Sequence, residues 1–271
     1  MSAEIRDWAG VGHAVAREPR IACLVPSVTE TLFALGLGDR VVARTGFCIH
    51  PRETVRRVPR VGGTKDPDLA KLRALAPTHL VVNVDENRRE DVDAAREFIA
   101  SVVVTHPMGP ADNPRLFALL GAIFDRRDDA AKLASDARAS LDALQARAST
   151  LSRERVLYLI WRKPWMTVSR DTYVSRTLGA AGFDTLPVEA GVRYPQVDDA
   201  DRCWRDADRV LLSTEPYAFR ERDAAALREG LRKPVDLIDG EWTSWYGVRA
   251  IAGLRGLGNY RAATPGSGGK A

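Results

Sequence analysis

What most constrains this chain is a layout that occurs twice. The stretch from Arg20 to Pro51, RIACLVPSVTETLFALGLGDRVVARTGFCIHP, opens with a short apolar, β-branched run, breaks at a proline-bearing loop and continues as an amphipathic helix stopped by glycine. A second stretch, opening at RVLYLIWRKPWM, follows the same plan. Two α/β halves in one chain imply two lobes, each with its own core, and a cleft between them suited to a small molecule.

The first half predicts a strand over 20–25, a break at Pro26, and a helix over 30–37 capped by Ser27, Thr29 or both and ended by Gly36 and Gly38. A strand over 40–44 leads into a loop, 45–65, that is rich in Pro, Gly and basic residues and too long for a bare connector. A helix over 68–75, a strand over 79–84, a polar turn at 85–88, a helix over 90–99 and a strand over 102–105 follow. Alternation at this pace predicts parallel sheets covered on both faces. From 114 to 149, Ala and Leu at helical spacing predict one rigid helical spine, with Gly121 its interior breaker. The second half predicts strands over 156–160, 209–213 and 235–238 and helices over 172–181, 221–229 and 244–257. The expected fold is α/β: two Rossmann-like lobes with parallel sheets, joined by a long rigid α-helix. The expected organisation is an N-terminal extension (1–19), a first lobe (20–113), a helical segment (114–152), a second lobe (153–262) and a disordered tail (263–271).

Composition removes several alternatives. With 271 residues, 45% of them hydrophobic, the chain can bury its cores without disulfide or metal support. The 40 basic and 36 acidic residues are mixed along the chain, which describes a solvated, arginine-rich surface rather than a nucleic-acid footprint. Three cysteines, Cys23, Cys48 and Cys203, are odd in number and lack metal-like spacing, as unpaired thiols do. No apolar run reaches the roughly 20 residues of a membrane-spanning helix. The N-terminal stretch carries acids and no apolar core of a secretory signal, so the sequence as it stands points to the cytoplasm, and to the periplasm if its start is trimmed.

The strings RIACLVPSVTETLFALGLGDRVV, VGGTK, LRALAPTHLVV, GAAGF and SWYGVRAIAGLRGL resemble the binding proteins of ABC importers for vitamin B12 and iron siderophores, the class with a helical backbone between its lobes. The resemblance spans about 20–260. It implies a non-catalytic receptor for a corrinoid, ferric siderophore or related metal chelate, monomeric and needing no cofactor. It also implies a surface carboxylate on each lobe that docks on a membrane permease. The candidates are Glu90 or Glu86 in the first lobe and Glu215 or Glu221 in the second.

Corrin and haem-like macrocycles offer large apolar faces, which tryptophan and tyrosine cover with few rotamers to freeze. Of the 6 Trp and 6 Tyr, five lie in two loops that follow predicted strands: Trp161 and Trp165 in IWRKPWM, and Trp242, Trp245 and Tyr246 in GEWTSWYG. Tyr194 in GVRYPQV is a further candidate of this kind. Arg162 and Lys65 are placed to meet polar groups of a ligand, and Ser27 sits at a helix start where backbone donors can bind an anion. Cys48 and His50, spaced C-x-H, are candidate metal ligands that would need partners from elsewhere. The competing reading is a cytosolic metal- or thiol-dependent enzyme using His50, His106, Asp85, Glu86 and Cys48. No nucleophile elbow, phosphate loop or zinc hydrolase helix supports it.

Overall fold

The computed structural model describes residues 6–188 and 191–264. Across them the chain forms two four-stranded parallel sheets and divides into two compact units. The first unit comprises Met1–Pro107, Asp112–Asp136 and Tyr246–Val248. It holds β1 (Ile21–Cys23), α1 (Pro26–Ala34), β2 (Val41–Arg44), α2 (Leu69–Ala74), β3 (His79–Asn83), α3 (Arg89–Arg96), β4 (Ser101–Thr105), α4 (Asn113–Ile123) and the first part of α5 (Arg127–Ala148). The second unit comprises Met108–Ala111, Ala137–Trp245 and Arg249–Ala271. It holds the rest of α5, then β5 (Glu154–Leu159), α6 (Tyr173–Ala180), β6 (Phe183–Thr185), α7 (Arg202–Asp206), β7 (Arg209–Ser213), α8 (Glu221–Leu231), β8 (Val235–Ile238), α9 (Gly240–Ser244) and most of α10 (Val248–Ala263).

The duplicated layout of the sequence is a duplicated topology. The strand orders are β2-β1-β3-β4 and β6-β5-β7-β8. Every residue of β1 and of β7 is buried, because a parallel strand covered on both faces has no polar side to show. In each sheet the winding reverses about its first strand, which opens a crevice outside the carboxyl ends of β1 and β3, and likewise of β5 and β7. In doubly wound sheets that switch point is where ligands bind.

Several elements differ from expectation for identifiable reasons. Helix α1 begins at Pro26, whose fixed φ suits the first helical position and whose missing N–H is no loss there. Ser27 and Thr29 therefore lie inside its first turn, and neither caps it. The Thr29 hydroxyl instead donates to the Val25 carbonyl at 2.9 Å.

The expected spine is two helices. Asp125 adopts φ 54°, and the Arg126 N–H reaches back to the Gly121 carbonyl at 2.8 Å, a Schellman-type helix end. Gly121 is not the breaker. A Cβ there would lie 2.4 Å from Ala130 Cβ, so the glycine permits close contact of α4 with α5.

The expected last helix is likewise interrupted at Trp245–Gly247, where Gly247 has φ 74°. Strand β6 and helix α7 were not anticipated. The N-terminal extension covers the open edge of the first sheet: Trp8 N–H donates to the Val104 carbonyl, and Val104 N–H to the Asp7 carboxylate. Of the tail, 265–271 lies outside the described residues. No helix among the described residues is long and apolar enough to cross a membrane.

Candidate ligand-binding rims

In the first unit the polar run after β3 stitches neighbouring loops together. Asn87 Oδ1 accepts from the Asn83 N–H and Asn83 Oδ1 from the Asp85 N–H, both at 2.8 Å. The Asn87 amide donates to the carbonyls of Leu24, after β1, and Thr64. Lys65 Nζ donates to the Asp85 carbonyl at 2.5 Å. Val84 is exposed beside this frame, and Phe47 and Ile49 are exposed beyond β2.

Tyr246 and Ser27 are buried in this unit. The Tyr246 hydroxyl donates to Glu86 Oε1 at 2.5 Å. Burial first, and then the Glu86 charge, push the phenol well above its ordinary value, so it stays a neutral donor. Next along the chain, Gly247 N–H donates to Asn113 Oδ1 at 2.6 Å and Val248 N–H to the Thr31 hydroxyl at 3.1 Å. His50 is buried, and the buried Cys48 thiol lies 3.2 Å from the hydroxyls of Thr29 and Thr45. Burial pushes that thiol up, away from the thiolate that metal binding or nucleophilic attack requires. Among the described residues no group of three or more His, Cys, Asp or Glu is placed to hold a metal ion.

In the second unit the switch point carries an aromatic platform. Trp161, just beyond β5, is 41% exposed and meets Tyr217, beyond β7, edge to face at 5.6 Å between centroids. Tyr217 packs on Phe219 at 4.6 Å, Phe219 stacks on Trp165 at 6.2 Å, and Trp165 meets Trp204 at 5.4 Å. Arg162 lies over the Trp165 ring and pairs with the buried Asp223 at 2.6 Å, which fixes the loop. Tyr194, Val188 and Val192, in the stretch after β6, are exposed.

Trp242 and Trp245 make internal contacts. Trp242 packs against Gly253 and Gly256 of α10, where a Cβ would lie within 3.0 Å of it. Trp245 is buried and donates its indole N–H to Glu215 Oε1 at 2.8 Å, and the Ser244 hydroxyl donates to the same oxygen. Burial raises the Glu215 carboxyl despite these bonds. The stability it contributes is present below its ordinary value of 4.5 and is lost as pH rises through the raised folded-state value. Glu215→Gln keeps an acceptor for both donors. It is expected to flatten the acid-to-neutral fall in stability relative to wild type, measured as urea midpoints across that range.

Of the four docking candidates, Glu86 and Glu215 are thus engaged internally, whereas Glu90 and Glu221 are exposed on the first turns of α3 and α8. Tyr217, Phe47, Ile49 and Val84 were missed by sequence reasoning. Tyr217, Phe47 and Ile49 lie shortly after anticipated strands and Val84 at the end of one, and that position was the available signal.

Two units of one strand order, each displaying apolar side chains at the carboxyl ends of a doubly wound sheet, have the architecture of a two-unit binding protein. The sequence profile of the periplasmic binding protein family matches residues 21–215. The chain belongs to that family. It is similar to the vitamin B12-binding protein of Vibrio parahaemolyticus, 24% identical over 235 residues, covering 85% of this chain and 78% of the relative. The vitamin B12-binding protein of Pectobacterium carotovorum is 21% identical over 257 residues, covering 94% and 92%. Among solved structures, the periplasmic vitamin B12 binding protein BtuF of Vibrio cholerae superposes with a TM-score of 0.78 at 19% identity, over 90% of this chain and 97% of that one. The periplasmic heme-binding protein RhuT of Roseiflexus gives 0.77, also at 19%, over 91% and 98%.

Proposed function

We propose that this protein is a non-catalytic receptor that binds a metal chelate of the corrinoid or porphyrin type at the carboxyl-end rims of its sheets and delivers it to an ABC-type permease. The observation that carries this reading is the location of most of the exposed large apolar side chains. Apart from Val11 and Val15 of the N-terminal extension, they follow strand ends: Phe47, Ile49 and Val84 in the first unit, and Trp161, Val188, Val192 and Tyr194 in the second. Apolar macrocycle faces suit such side chains. The names of the relatives, which bind vitamin B12 or haem, support the same class.

In this reading Trp161 and Tyr194 are ligand contacts, Trp165 and Arg162 hold the platform in place, and Lys65, Ser27 and Tyr246 shape the first rim. Glu90 and Glu221 meet the permease. The protein works as a monomer without a cofactor, and the family's periplasmic character favours that compartment over the cytoplasm.

Titration of intrinsic tryptophan fluorescence with cobalamin, cobinamide, haem and a ferric siderophore tests the proposal. Saturable quenching by cobalamin or haem at micromolar concentration or below, with the ligand recovered unchanged, is the expected result. No saturable response to any of the four would overturn it.

A further inference from the structure

Beside β2, at the edge of the first sheet, a cavity of about 300 Å³ is lined by Arg44, Arg52, Arg56 and Arg60 together with Cys48, Ile49 and Val55. Arg44 is only 2% exposed. Its Nε donates to the Val55 carbonyl at 2.7 Å and its Nη1 to the carbonyls of Thr45 and Cys48 at 3.0 and 3.2 Å. These bonds hold the guanidinium and leave its Nη2 without an acceptor among the described residues, and the side chain lines the cavity. A buried guanidinium ordinarily has an anion beside it, because burying an uncompensated charge is costly. Here the charged side chains lining the same cavity are Arg52, Arg56 and Arg60. Burial and the positive charge of Arg60 both lower the Arg44 guanidinium. Arg52, Arg56 and Arg60 are exposed and form no ion pair among the described residues.

The geometry points to an oxyanion-binding site for a phosphate group in this cavity. Four guanidiniums and no carboxylate line it, a positive charge that suits a phosphate group, whether the free ion or a singly charged diester. Guanidinium forks also fit phosphate oxygens in bidentate fashion. Free inorganic phosphate and a phosphodiester carried on a larger molecule share this chemistry. The cavity shares Ile49 with the apolar rim of the first unit, but its anion-binding groups are the guanidiniums, none of which is a rim residue.

The test is isothermal titration of the full chain with inorganic phosphate and, separately, with dimethyl phosphate, in chloride buffers of equal ionic strength. Saturable one-to-one binding is expected, weakened at least tenfold in the double variant Arg56→Ala, Arg60→Ala. Both substituted side chains are exposed, so the variant's circular dichroism should match that of wild type. Preference for inorganic phosphate would identify the free ion as the natural occupant, and equal or tighter binding of dimethyl phosphate would identify a diester. No saturable binding of either anion, or undiminished binding by the folded double variant, overturns the site.

Discussion

Replacing Glu154 by alanine is expected to destabilise the second unit by about 3–5 kcal/mol, the usual cost of removing one member of a buried ion network. Glu154 Oε1 accepts from Arg261 at 2.9 Å and Oε2 from Arg209 at 3.0 Å. Arg261 is 1% exposed, and Glu154 and Arg209 are buried with it. The alanine variant leaves two guanidiniums in the interior. Arg209 keeps Asp236, whereas Arg261 keeps only the carbonyls of Ser152 and Thr264 as acceptors among the described residues. Urea unfolding followed by tryptophan emission reads mainly the second unit, because five of the six tryptophans, Trp161, Trp165, Trp204, Trp242 and Trp245, belong to it and only Trp8 to the first. A variant whose midpoint stays within error of wild type would show that the network contributes little.

Trp161→Ala is expected to weaken chelate binding by about 2 kcal/mol, roughly thirtyfold in Kd, the scale of an aromatic anchor at the centre of a contact. The unfolding midpoint should hardly move, since the ring is exposed and its one aromatic neighbour among the described residues is Tyr217. Trp165→Ala should behave differently. That ring is stacked on Phe219, meets Trp204 and donates to Asp199, so its loss should lower stability along with affinity. Equal loss of binding in both variants with unchanged stability would remove the distinction between contact and support. Retained affinity in Trp161→Ala would move the site away from this platform.

These two tryptophans also show what the sequence could and could not convey. Their loop was legible because WRKPW follows an apolar run that reads as a buried strand. Which ring faces solvent was not, because Phe219 and Trp204 arrive from 54 and 39 residues further along the chain (219 − 165 and 204 − 165). The parallel sheets were legible for the same reason as β7: VLLS offers no polar face. Strand β6 was missed because three residues with a central aspartate carry no periodicity, and the break between α4 and α5 because Asp125 enters the left-handed region without a glycine to announce it. The capping role expected of Ser27 failed because proline at the first helical position set the helix start earlier. Cys48 and His50 read as a metal pair by spacing alone, but burial and two hydroxyl neighbours decide the state of the thiol, and spacing is blind to both.

The three residues Tyr246–Val248 count with the first unit although they lie almost at the far end of the chain. Their amides and phenol satisfy Asn113, Thr31 and Glu86. On the ribosome, therefore, the half that is synthesised first is completed last. A nonsense codon just upstream of Tyr246 would take partners from both halves at once, and a gene split after α5 would yield a leading fragment lacking those three bonds. Gly247 tightens this dependence: a side chain there would meet the Thr31 hydroxyl at 2.1 Å, so the late-arriving segment admits little variation.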